Sequence, residues 1–152
     1  VYPFVPAFIR HYLGEEPILR NVDTYLLWER DQREAVLGRL DELVVKPVAE
    51  AGGKGIVIGP QATGAELDEV RRQVEEDPRG FIAQEVVQLS THPTFVDGGL
   101  HPRHLDLRPF VVAGRSIEVV PGGLTRVALP EGSLIVNSSQ GGGSKDTWVL
   151  ES

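Results

Sequence analysis

Cysteine and methionine are both absent from the 152 residues. Without cysteine there are no disulfides and no thiolate metal sites, and the redox compartment stays undetermined. A chain without methionine that begins at Val1 is expected to be a piece of a longer protein. Positive charge is in deficit: 15 basic against 22 acidic residues give −7, a field that repels a phosphate backbone, so nucleic acid is excluded as a partner. Aromatics at 7% are too few for the stacking platforms of single-strand binders. No run approaches the roughly 18 apolar residues of a membrane span, so no membrane partner is expected. No charged-then-apolar leader opens the given sequence, and the expectation is a cytoplasmic protein.

What is present is ordinary for a globular chain, with 41% hydrophobic and 24% charged residues. Residues 1–28 read as an irregular arm, with a short helix near Phe8 to Leu13 and a strand at 24–28. Asp31 and Glu34 resemble a capping pair, and Val36, Leu40 and Leu43 recur at helical spacing, which predicts a helix from Gln32 to Glu42. "LVVKP" and "GIVIG" read as strands around a glycine loop. Thr63 and Glu66 form a capping box, and Leu67, Val70 and Val74 give one apolar stripe before Pro78. "FIAQEVV" (81–87) reads as a strand, residues 90–102 as turns, and 104–113, 116–129 and 133–139 as three more strands. "QGGGSKD" reads as a closing glycine cluster. This order predicts an α+β fold with mostly antiparallel pairing. The subdomains expected after the arm are 29–89, carrying the glycine flap, and 90–152, carrying a second sheet.

The loop around Gly52, Gly53, Lys54 and Gly55 is the first chemical signal. A Walker loop ends in Gly-Lys-Ser/Thr and enters a helix, whereas Lys54 is followed by Gly55 and then by Ile56, Val57 and Ile58. The loop therefore returns into a strand. It is either a flap whose amides approach an anion, aided by Lys46 and Lys54, or a solvent-exposed hairpin turn. Taken alone, the second reading is the commoner case.

Alternation supplies more. Leu105, Leu107 and Val111 share one face of their strand, while His104, Asp106 and Arg108 share the other. Arg126 stands in the apolar run "LTRVAL", either gripping phosphate or carboxylate or paired with an acid such as Glu118. Two lysines, two arginines and a glycine flap in an acidic protein call for an anion. His92, His101 and His104 have neither helical spacing nor cysteine support, and no metal site is read from them.

The wording of "YLGEEPILRNVDTYLLW", "VVKPVAEAGGKGIVIGP", "IAQEVVQLSTHPT", "PRHLDLRPFVV" and "PGGLTRVALPEGSLIVNSSQGGGSKDTWVL" is similar to the circularly permuted ATP-grasp family of bacterial proteins. The resemblance implies two antiparallel sheets with covering helices that clamp ATP, and a carboxylate activated as an acyl phosphate before capture by an amine. It places Lys46, Gly52, Gly53, Lys54 and Gly55 at the phosphates, and Gln84, Glu85 and Val87 in the linker beside adenine. Arg108 and Arg126 would face the transferring phosphoryl group. Asn137, Ser138, Gly141, Gly142 and Lys145 would form a substrate loop. ATP-grasp enzymes hold magnesium with a Glu-x-Asn segment, but Ile135 stands two positions before Asn137. The resemblance therefore puts the Mg2+ ligands mainly in an upstream half, which would be this chain's partner along with small carboxylate and amine substrates. The other reading is a nucleotide-binding or interaction module without turnover.

Overall fold

The computed structural model describes residues 1–50, 52–137 and 141–150. The chain forms two compact units, residues 1–87 and 88–152. Each contains one four-stranded antiparallel sheet.

The first unit opens with helical turns that include the short helix expected near Phe8 to Leu13 and extend back to Tyr2. A 3-10 turn Tyr2–Phe4, α1 (Val5–Phe8) and a π turn Ile9–Leu13 run together until Gly14 ends them. Phe4, Phe8 and Tyr12 fall four residues apart, so their rings meet along one side, with centroids 6.3 and 6.2 Å apart. The arm is tied down through Tyr2, whose hydroxyl accepts from Val22 N at 2.8 Å and whose carbonyl accepts from Asn21 Nδ2 at 3.0 Å.

The strands of this unit are β1 (Thr24–Leu26), β2 (Leu43–Pro47), β3 (Val57–Ile58) and β4 (Phe81–Glu85), in spatial order β1-β4-β2-β3. Period-two alternation assigns their faces. Leu43, Val45 and Ala83 point to one side and are buried with Val36, Leu40, Val70, Val74 and Leu27. Val44, Lys46, Ile82, Gln84 and Thr24 point away from the helices.

Two helices supply the covering side chains. α2 (Arg30–Leu37) starts two residues before its expected position and stops at Gly38, leaving Leu40–Glu42 as a separate 3-10 turn. Asp31 sits in its first turn and no side chain caps it. Glu34, read with Asp31 as a capping pair, instead forms an i,i+4 ion pair with Arg30 at 2.7 Å. α3 (Gly64–Glu76) keeps its capping box: Thr63 N donates to Glu66 Oε2 at 2.7 Å and Glu66 N donates to Thr63 Oγ1 at 3.3 Å.

The glycine loop returns into β3, not into an α-helix, and β3 leads to a 3-10 turn Gly59–Gln61. Gly52, Gly53 and Gly55 take φ values of 70°, 82° and 70°, conformations that side chains resist. Gly59 has a different reason: a Cβ there would collide with the backbone of Leu40, Asp41 and Leu43.

The second unit is built from β5 (Thr91–Val96), β6 (Gly99–Ala113), β7 (Ile117–Ala128) and β8 (Gly142–Lys145), paired in that order. Residues 90–102, expected as turns, are thus mostly strand. Asp97 and Gly98, with φ of 52° and 80°, make the two-residue hairpin that joins β5 to β6. The strand expected at 133–139 is absent over 133–137, where Ser133 Oγ bonds locally to the carbonyl and amide of Ile135 and competes with ladder formation. The glycine cluster forms β8 in its place. Among the described residues no helix is long and apolar enough to cross a membrane.

Candidate functional site

In the first unit, three polar side chains cross the sheet on the face away from the helices. Lys46 of β2 donates from Nζ to Gln84 Oε1 of β4. Gln84 Nε2 donates to Thr24 Oγ1 of β1 at 2.8 Å, and Thr24 Oγ1 donates to the Val22 carbonyl at 2.9 Å. The register explains the alignment, since Thr24 lies directly opposite Gln84 and Lys46 lies opposite Ile82, one diagonal step away. Gln84 is 8% exposed, so an amide of that burial requires both its partners. Burial pulls the Lys46 ammonium below the usual lysine range. Lys54 sits exposed among the loop glycines.

Glu85 faces the other way, as the neighbour of Gln84 in a strand must. Its carboxylate accepts from Tyr25 Oη at 2.6 Å and from Arg39 Nη2 at 3.3 and 3.4 Å. The hydrogen bond to Glu85, then burial, pushes the Tyr25 phenol up. Glu85 and Val87 line a cleft of about 260 Å³ with Arg20, Asn21, Val22 and Asp23. Gln84 and Lys46 are thus brought together, and Glu85 and Val87 meet at the strand end beside them.

In the second unit, Asp106 of β6 lies opposite Arg126 of β7, which lies opposite Ser144 of β8. Directly paired residues share a face, so Asp106, Arg108 and Arg126 stand on one side of the sheet. Arg108 grips both oxygens of Asp106 through Nε and Nη2, at 2.9 to 3.2 Å. His104 donates from Nδ1 to the Leu89 carbonyl at 2.8 Å, an ordinary structural bond. Glu118 is eight residues from Arg126 along β7, about 26 Å, which removes it as an ion-pair partner. It accepts from Ser116 Oγ instead, at 3.0 Å.

Lys145 departs from the arginines. It lies opposite Thr125, hence on the reverse face, and donates to His92 Nδ1, the Pro93 carbonyl and Thr94 Oγ1 at 2.9, 2.6 and 3.1 Å. Gly142 N donates to the Asn137 carbonyl at 3.0 Å, and Gly141 precedes it with φ of 79°. Ser138 lies outside the described residues. Thr24, which the residue pattern alone did not single out, was marked only by its parity with Gln84 once the strands are paired.

One family model, circularly permuted ATP-grasp type 2, matches residues 1–128. The chain belongs to the circularly permuted ATP-grasp type 2 family. The match in this ATP-grasp chain includes Lys46, Gln84, Arg108 and Arg126 and stops at the end of β7. An uncharacterised Mycobacterium tuberculosis protein is 58% identical over 151 residues, 99% of this chain and 27% of its own length. An uncharacterised Synechocystis protein is 53% identical over 152 residues, 99% of this chain and 32% of its own. A Frankia casuarinae protein named "Putative glutamate--cysteine ligase 2-2" is 57% identical over 149 residues, 98% of this chain and 17% of its own. This ATP-grasp chain therefore spans at most about a third of these relatives.

Proposed function

We propose that this ATP-grasp chain supplies the nucleotide-holding part of an ATP-dependent carboxylate–amine ligase that works through an acyl phosphate. The observation that carries the reading is Lys46. It is a half-buried ammonium on the sheet face away from the helices, held by the neutral Gln84 with no ion pair to a carboxylate among the described residues. Such a cation is poised for an anionic ligand, and burial strengthens that attraction.

In this reading Lys46 and Lys54, with the amides of Gly52, Gly53 and Gly55, hold the phosphates. Gln84, with the strand end at Glu85 and Val87, borders adenine. A substrate carboxylate oxygen bonds to the γ-phosphorus as the bond to the bridging oxygen breaks and ADP leaves. An amine then attacks the acyl carbon and phosphate departs. Arg108 and Arg126 stabilise the charge on the moving phosphoryl group, which is mostly what phosphoryl transfer asks of a protein. Asn137, Ser138, Gly141 and Gly142 serve the substrate loop, and Lys145 braces it from the reverse face through His92, Pro93 and Thr94. The ligase name carried by the Frankia relative supports the class of reaction. With 17% of that protein covered, it does not fix the substrates.

ATP-grasp enzymes use magnesium. Among the described residues no group of three or more histidine or carboxylate side chains could hold a metal ion. We assign the magnesium ligands mainly to an upstream half of the same protein.

The test is calorimetric. Lys46→Ala in the full-length protein is expected to weaken ATP binding by about 1.5–3 kcal/mol, the range for a charged hydrogen bond. Unchanged affinity removes Lys46 from the site. The Asp106–Arg108 pair favours a second reading, a nucleotide-binding module whose arginines are structural. Single-turnover phosphate release separates the two. Arg126→Lys keeps the charge but loses the planar fork, so a ligase loses roughly a hundredfold in turnover with little change in ATP affinity. A module has no turnover to lose.

A further inference from the structure

The chain of bonds behind Lys46 has a direction. The Val22 carbonyl can only accept, so the single proton of the Thr24 hydroxyl is committed to it. Thr24 Oγ1 can then offer Gln84 only a lone pair, and Gln84 must present Nε2. At the other end Lys46 has only donors, so Gln84 must present Oε1. The two demands agree, and together they leave the carboxamide one orientation. Among the described residues Lys46 makes no ion pair, and the strand positions sharing its face are Val44, Ile58, Ile82, Gln84, Leu26 and Thr24.

We propose that Thr24 is a positioning residue that fixes the side chain of Lys46 by orienting Gln84. The proposal deepens the nucleotide reading and rests on it for the ligand that Lys46 meets. Thr24 touches no ligand itself. Replacing its hydroxyl by a methyl group leaves Gln84 Nε2 a buried donor without a partner. The amide then turns toward another acceptor, and Lys46 loses the oxygen that holds it on the sheet.

The reporter is Lys46 itself. Limiting acetylation of the full-length protein with acetic anhydride, followed by quantification of each lysine peptide, reads how firmly its amine is held. Lys54 and Lys145 serve as internal references. Thr24→Val is expected to raise Lys46 acetylation about fivefold, the equilibrium equivalent of one net hydrogen bond. Gln84→Leu is expected to raise it at least as much, and Thr24→Ser to restore the original rate. ATP binding measured on the same proteins is expected to weaken in parallel. If Thr24→Val misfolds by circular dichroism, Thr24→Ala replaces it in the same measurement. Lys46 acetylation unchanged in a folded Thr24 variant overturns the proposal, as does failure of serine to restore it. A rise in acetylation in a protein that binds no ATP sustains the positioning role of Thr24 and overturns the nucleotide reading instead.

Discussion

Both sheets have four antiparallel strands, yet they are stabilised differently. The first carries helices on one face, and eight apolar residues are buried between the layers, from Leu27 and Val36 to Val74 and Ala83. Among the described residues the second unit has no helix, and its buried apolar residues are Val127, Ala128 and Val136. Its interior includes Thr94 and Arg103, the latter donating to the carbonyls of Leu129 and Pro102 at 2.7 and 2.9 Å. Beyond the irregularity at Pro109, β6 and β7 continue as a two-stranded ribbon with Val111, Val112, Ile117 and Val119 exposed. The first sheet is a layered structure stabilised by burial, whereas the second depends on cross-strand pairing and side-chain to backbone bonds. Two-stranded ribbons are marginal in water, so its distal end adds little of its own.

That contrast can be broken by mutation. The largest effect belongs to Leu43→Ala, which opens a cavity between β2 and the helices and should cost about 2–5 kcal/mol in denaturant unfolding. A cost under about 1 kcal/mol would mean the layers do not pack as described. Next comes the helix that covers the first sheet. Thr63→Ala removes the cap of α3 and should cost about 1 kcal/mol. The same change alters the acid response. Bonds from the Thr63 amide and hydroxyl hold the Glu66 carboxyl below its ordinary 4.5. A carboxyl depressed in the folded state stabilises above its unfolded pKa, and that contribution is lost as pH falls through the folded value. Thermal melts from pH 6 downward should therefore show a steeper decline below about pH 4.5 for the parent than for Thr63→Ala, whose Glu66 lacks the hydroxyl bond. The smallest effect is expected on the ribbon: Ile117→Ser, at a residue 78% exposed, should change unfolding by no more than about 0.5 kcal/mol. A cost near that of Leu43→Ala would show the ribbon to be buried in the folded protein.

What could be read from sequence was local. The Thr63–Glu66 box and the stripe of Val70 and Val74 lie within a few residues and need no partner to be recognised. Asp97-Gly98 is an equally local hairpin signal. It was obscured by Pro93 and Pro102, which argue against strand and in fact face each other across β5 and β6. β8 was invisible because Gly142 and Gly143 have no strand preference, and the strand exists only through pairing with β7. The candidate site divides along the same line. Adjacent positions in a strand must diverge, so Gln84 and Glu85, read together beside adenine, stand on opposite faces of β4. The place of Lys145 on the face away from Arg126 depends on the β7–β8 register, which no local pattern encodes. Thr24 was hidden for that reason too.

The strand order β1-β4-β2-β3 has a consequence in time. Among the described residues β1 pairs with β4 alone, and Tyr25 meets Glu85 across 60 residues of chain. On a ribosome adding roughly 5–20 residues per second, β1 waits several seconds for the only strand that can hold it. β2 and β3 can pair in that interval, and Lys46 is already in place on their sheet. When β4 inserts between β1 and β2 it completes the ladder, and in the same step Gln84 connects Lys46 to Thr24. A nascent chain halted before residue 81 would hold Lys46 on a marginal hairpin, with no relay behind it.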